Sequence, residues 1–205
     1  MSREDRREAI IQATLPLLRM HGHAVTTRQI AEASGIGEGT IFRVFSDKAE
    51  LISACMSAAF DPGPVLAQLA GINPRLPLEL RLRAAVELLQ ARMRSVIELL
   101  MALHFVGPPG NSQPPEEAHS EQGRRPRMDP RAEAGQVEIL SAIERILAPE
   151  QGRLRISAAE AARVVRLLTF AATHPRITDE NPMSAEQIVA VVLHGVLERA
   201  EPTAC

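Results

Sequence analysis

At four expected helix starts a capping side chain is followed three residues later by Glu or Gln: Thr26 and Gln29, Asp47 and Glu50, Ser157 and Glu160, Ser184 and Gln187. Such pairs satisfy N–H groups that a first helical turn leaves free, so each marks a helix start. Glycine or proline closes the segments between them, at Gly22, Gly35, Ala148-Pro149 and His174-Pro175. Ser2 can cap a first helix in which Ile10, Ala13, Leu17 and Met20 recur at spacings of three and four. Pro16 lies inside it and is expected to kink it, because an interior proline costs roughly 3 kcal/mol. Pro77 fits the first turn of a long helix from Leu78 to about Phe105. Residues 107–130 hold six of the fifteen prolines and read as a flexible loop. Helices resume over Arg131 to Leu147, Ser157 to Thr173, and Ser184 to about Arg199.

Composition points the same way. Aromatic residues make up 2% of the chain, five Phe with no Trp or Tyr, so the core must be built from Leu, Ile, Val and Ala. Nothing reads as a strand, and the expected fold class is all-α. With 45% apolar and 23% charged residues, a disordered chain and a disulfide-stapled mini-protein are excluded. The longest apolar runs fall far short of a membrane span. Cys55 and Cys205 show no metal-ligand spacing and read as free thiols of a reduced, cytoplasmic protein. The formal net charge is −2, so nucleic acid cannot be held by bulk charge and any contact must be local. Among 23 cationic side chains one is Lys, Lys48.

Two short helices joined at Gly35-Ile36-Gly37 form the signature of a helix-turn-helix, the second helix expected from Glu38 to about Phe45. The segment Val25–Leu51, VTTRQIAEASGIGEGTIFRVFSDKAEL, matches a known pattern at Thr26 or Thr27, Ile30, Ala31, Gly35, Ile36, Gly39, Thr40, Ile41, Phe45, Asp47, Lys48 and Leu51. It resembles the N-terminal DNA-binding domain of the TetR family of transcriptional regulators, over about Ile10 to Ala54. Ile30, Ala31, Ile36, Ile41 and Phe45 fall where crossed short helices share a core. The helix after the turn is expected in the major groove, with Thr40 and Arg43 on one face. Arg43 can fork to a guanine or bind phosphate. The resemblance implies backbone contacts at or beside Thr27, Arg28, Gly39, Thr40 and Phe42, and phosphate binding by Lys48 at a helix start. Phe42 replaces a usual Tyr and Val44 a frequent His. Glu38 can accept from cytosine N4 or simply suit the helix dipole. Over residues 19–48 four cations face three acids, a local balance of +1.

Other motifs carry less. Gly35-Ile36-Gly37-Glu38-Gly39 lacks the register and the preceding strand of a phosphate loop. His21 and His23 have no partner spaced to complete a metal site. No catalytic constellation and no cofactor motif is found, and the chain is not read as an enzyme. The last two helices carry a small-residue seam, Ala161, Val165, Leu168 and Ala172 with Ile188, Val192 and Gly195, expected to form a homodimer interface. The resemblance implies an effector pocket in the middle helices, with Leu89, Met93, Leu100, Met101, His104 and Phe105 as candidates for a small apolar molecule. The expected organisation is a helix-turn-helix domain at 1–47 and a ligand-binding and dimerisation domain at 48–205. The expected function is a dimeric regulator, released by its ligand from near-palindromic double-stranded DNA. A helical interaction protein with a degenerate DNA-reading head is the alternative.

Overall fold

The computed structural model describes residues 2–105 and 130–196, without the side chains of 104–105, 130–134 and 196. Its helices are α1 (Arg3–His21), α2 (Thr27–Ala33), α3 (Glu38–Ile41), α4 (Lys48–Phe60), α5 (Gly63–Ala70), α6 (Leu78–Phe105), α7 (Pro130–Leu147), α8 (Ala158–Thr173), α9 (Pro175–Thr178) and α10 (Ala185–Val196). Among the described residues there is no β-strand, and the fold is all-α. Of the loop expected over 107–130, residues 107–129 lie outside the described residues and Pro130 begins α7, and any continuation of α10 beyond Val196 lies outside them too.

The helix starts follow the capping chemistry. Reciprocal boxes close on Ser2 with Asp5, Thr26 with Gln29, and Ser157 with Glu160. At α4 the exchange is split. Asp47 accepts from the Glu50 N–H, while the Glu50 carboxylate turns to the Ser46 N–H at 2.7 Å. Helix α1 runs through Pro16 without interruption. Gln12 and Pro16 are both exposed, on the face of α1 where solvent can reach the carbonyl that a proline leaves without a donor.

Helix α5 has no counterpart in the sequence expectation. Pro62 and Pro64 look like breakers there, but both sit where a first turn has no N–H to lose, and Val65 and Leu69 bury one face. The one-turn α9 begins at Pro175 for the same reason. Helix α3 is shorter than expected. Gly39, Thr40 and Ile41 are weak helix formers, and the chain passes into tight turns, with the Phe45 N–H still bonded to the Ile41 carbonyl at 2.9 Å.

The chain divides into two units, one drawn from Met1–Asp61 and Ser95–Asp129, the other from Pro62–Arg94 and Pro130–Cys205. In the first, α1 packs on α2 and α4, and α2 on α3. Ile10, Leu18, Val25, Ile30, Ile41, Phe45, Leu51 and Leu99 are fully buried in one core, each worth roughly 1.5–3 kcal/mol. Helix α4, expected to belong with the C-terminal residues, contributes Leu51 and Cys55 to this core.

In the second unit α7 packs on α5 and α8, and α10 on α8. Gly135 of α7 lies against Pro62, where a Cβ would come within 2.8 Å of the ring. The buried Arg81 guanidinium donates to the Ile146 carbonyl at 2.8 Å and the Glu150 carboxylate at 2.7 Å, closing the end of α7. Gln90 Nε2 donates to Thr173 Oγ1 and the Met183 carbonyl, tying α6 to the end of α8.

The expected dimer seam requires correction. Ala161, Val165, Ala172, Ile188 and Val192 are buried within this unit's own core and Leu168 is partly so, while Gly195 is exposed. Small residues let α8 approach its intrachain neighbours closely, and that use consumes the seam. The apolar side chains that α8 leaves in solvent are Val164, Leu167 and Phe170, and α10 leaves Val191.

Candidate nucleic-acid interface

Between α2 and α3 the chain turns at Gly35, whose φ of +65° lies in the left-handed region that favours glycine. The Ile36 N–H then returns to the Ala31 carbonyl at 3.0 Å. Ile30 and Ala31 from α2, and Ile41, Val44 and Phe45 from α3 and the following turn, point into the core of the first unit. What remains outside is therefore dictated by periodicity: Arg28, Glu38, Gly39, Phe42 and Arg43 are exposed, and Thr27, Thr40 and Lys48 half-buried.

The eight residues expected at DNA thus all reach the surface of one unit. Val44 does not. It stands where a His is frequent in the resembling family, but it is buried in the core. Its apolar side chain completes the triplet Ile41, Val44 and Phe45 at spacings of three and four.

Three interactions at this surface link residues far apart in sequence and have no signal in it. Thr27 Oγ1, at the first residue of α2, donates to the Glu38 carboxylate at the first residue of α3. Lys48 Nζ donates to the His23 carbonyl at 2.7 Å, joining the start of α4 to the turn before α2. The Arg7 guanidinium lies 4.5 Å from the centre of the Phe45 ring and reaches Glu50 at 3.2 Å, pinning α1 to the end of the helix-turn-helix. The Ser46 N–H, and after it Arg7, hold the Glu50 carboxyl below the usual carboxylate range. Beneath the surface, burial pushes the Cys55 thiol up to about 12, so it stays neutral and inert.

Donors dominate this surface: two exposed guanidiniums, two hydroxyls and one ammonium against the carboxylate of Glu38. Such groups suit phosphate oxygens and the acceptor-rich edge of guanine.

Residues 10–55 match the family described as bacterial regulatory proteins, tetR family. That segment, about a quarter of the chain, is similar to the family's N-terminal DNA-binding domain. Over nearly the whole chain the fold is similar to that of solved structures described as TetR-family transcriptional regulators. It is similar to a TetR transcription regulator from Haloarcula marismortui ATCC 43049, with TM-score 0.61 and 18% identity, covering 95% of this chain and 100% of that one. SmeT, the repressor of the Stenotrophomonas maltophilia multidrug efflux pump SmeDEF, gives TM-score 0.55 and 18% identity over 94% of this chain and 90% of its own. NalD, the secondary repressor of the MexAB-OprM pump in Pseudomonas aeruginosa, gives 0.53 and 19% over 95% and 98%.

The residues expected to meet an effector divide between the two units. Leu89 belongs to the core of the second unit, and Met93 is half-buried there. Leu100 is half-buried and Met101 is 41% exposed in the first unit. The side chains of His104 and Phe105 lie outside the described residues. One cavity of the second unit, about 220 Å³, is lined by other residues, among them Leu69, Ile72, Arg81 and Ile146. Among the described residues no group of His, Cys, Asp or Glu is placed to hold a metal ion, and no helix is long and apolar enough to cross a membrane.

Proposed function

We propose that this protein is a DNA-binding transcriptional regulator that acts as a homodimer on a near-palindromic operator. The observation that carries this reading is the sorting of α2 and α3. Their apolar residues close one core, and Thr27, Arg28, Thr40, Phe42, Arg43 and Lys48 are left together on the outside. In this reading residues 1–47, with Lys48 at the start of α4, meet DNA, and the rest of 48–205 carries dimerisation and effector binding. The start of α3 enters the major groove with Thr40 and Arg43 toward base edges, while Thr27, Arg28 and Lys48 face the backbone.

A dimer supplies the second reading head, one helical turn along the duplex. The stripe Val164, Leu167 and Phe170 on α8 and Val191 on α10 supports that assembly, since large apolar side chains at 39–60% exposure are costly to leave in water. Repression is the sign of regulation proposed, with release by a small apolar effector. The effector acts only by binding the DNA-incompetent conformation more tightly than the competent one.

The test is a mobility shift with the DNA flanking the protein's own gene, at stated salt, beside a sedimentation measurement of the free protein. Specific retardation of a dimer is expected. A dimer that ignores this DNA and every member of a randomised duplex pool would instead favour an interaction protein with a degenerate reading head. The bonds that already occupy Thr27 and Lys48 give that second reading its footing.

A further inference from the structure

The hydrogen bond between Thr27 and Glu38 joins the two groups with the most opposed tasks at the proposed interface. A threonine hydroxyl has one proton to donate. While Glu38 holds it, Thr27 can offer a phosphate only lone pairs, and the carboxylate adds a like charge beside the phosphate's own. Glu38 in turn stands at the first residue of α3, the end that faces base edges in the proposed docking. It is exposed, and Thr27 is its hydrogen-bond partner among the described residues.

We infer that Thr27 and Glu38 form a donor-exchange latch that makes phosphate binding conditional on the base presented to α3. The inference rests on the proposed DNA-binding function and adds a specificity-determining pair to it. For Thr27 to turn its proton to a phosphate, Glu38 must find another donor. In the major groove cytosine N4 and adenine N6 are the amino donors, while guanine and thymine present O6, N7 and O4 acceptors. Adenine N6 lies beside its own N7 acceptor, so cytosine suits a carboxylate best. Opposite cytosine the carboxylate exchanges the hydroxyl for the N4 amino group, and the freed hydroxyl reaches the backbone: two contacts form where one was given up. Opposite guanine or thymine the carboxylate meets acceptors, keeps the hydroxyl, and both the base and the phosphate contact fail. One residue thus couples direct readout to the positioning contact, and suppresses binding to DNA without the right base.

Three variants of the full-length protein test this: Glu38→Gln, Thr27→Val and the double substitution. Each is bound to a generic-sequence duplex over a salt series, and each is used to select from a randomised duplex pool. Glu38→Gln removes the charge and keeps the shape. It is expected to bind generic DNA about tenfold more tightly at low salt, equivalent to about 1.4 kcal/mol, with the gain shrinking as salt rises. Wild-type selection should return cytosine at one position in each half-site, and Glu38→Gln should lose it. Thr27→Val should weaken selected sites more than generic DNA in the wild-type background, because only selected sites release the hydroxyl. In the Glu38→Gln background it should weaken both alike. A wild type that binds DNA while Glu38→Gln changes neither generic affinity nor base preference overturns the latch and leaves the regulator reading standing. Failure of wild type and variants alike to bind any duplex overturns both.

Discussion

Lys48 Nζ donates one of its three hydrogens to the His23 carbonyl, leaving two for another acceptor. The bond holds the ammonium beside the start of α4, where unpaired N–H groups and the helix dipole also favour an anion. Lys48→Ala is therefore expected to weaken binding to every duplex and to reduce the salt slope by about one, measured by titrating salt in a binding assay. Arg43 is exposed in the turn that follows α3. Arg43→Ala should cost about 1–3 kcal/mol on the operator and relax preference at one base pair, read from selected sequences. Equal losses on all sequences would make Arg43 a phosphate contact instead. The exposure of Arg43 and the place of Lys48 at a helix start are legible in the sequence because the motif's spacing is local. Val44 is legible only through its neighbours: the register shared with Ile41 and Phe45 places it in the core, whatever side chain is frequent there in other chains.

At the scale of elements, buried and exposed ion pairs carry different weights. Arg81 is 4% exposed, and its partners close the end of α7. Arg81→Ala strands the Ile146 carbonyl and takes one partner from Glu150, so a loss of about 3–5 kcal/mol in denaturant unfolding is expected. The Arg83–Glu87 pair, with both side chains about half exposed, gives the contrast: Arg83→Ala should change stability by less than about 1 kcal/mol. The helix starts also set an acid limit. The Ser2 N–H holds Asp5 below its ordinary 3.8, the Ser46 N–H holds Glu50 below 4.5, and the Ser157 hydroxyl and N–H hold Glu160 below 4.5. Each carboxyl is depressed on folding, so its contribution is present in full above the ordinary value and is lost as pH falls through the depressed one. Helicity by circular dichroism should hold from neutral pH to about 5 and then decline, with α1, α4 and α8 fraying at their starts. Replacing Asp5 by Asn and both glutamates by Gln should flatten that decline.

The proposed dimerisation belongs to the whole molecule. If the stripe on α8 and α10 is the interface, Leu167→Asp should yield a folded monomer by sedimentation, with operator affinity lost and circular dichroism unchanged. Val165→Asp should unfold the second unit instead, because Val165 is 1% exposed within its core. A Leu167→Asp protein that remains a dimer would place the interface elsewhere.

The all-helical type, the capped starts of α1, α2, α4, α8 and α10, and the helix-turn-helix were legible in the sequence, since caps, turns and apolar registers act over three to four residues. Helix α5 was hidden because a proline's meaning depends on its position in the turn. The faces of α8 and α10 were hidden for a different reason. Both carry more than one apolar stripe, and periodicity says that a stripe must be covered without saying by what. Only the packing of α7 and α10 on α8 decided that the small-residue seam is intrachain and that Leu167 and Phe170 stay outside. Thr27 and Glu38 are the sharpest case. Eleven residues separate them, each reads as a DNA-contact candidate on its own with no sign of the other, and it takes the folded turn between α2 and α3 to bring a hydroxyl proton to a carboxylate.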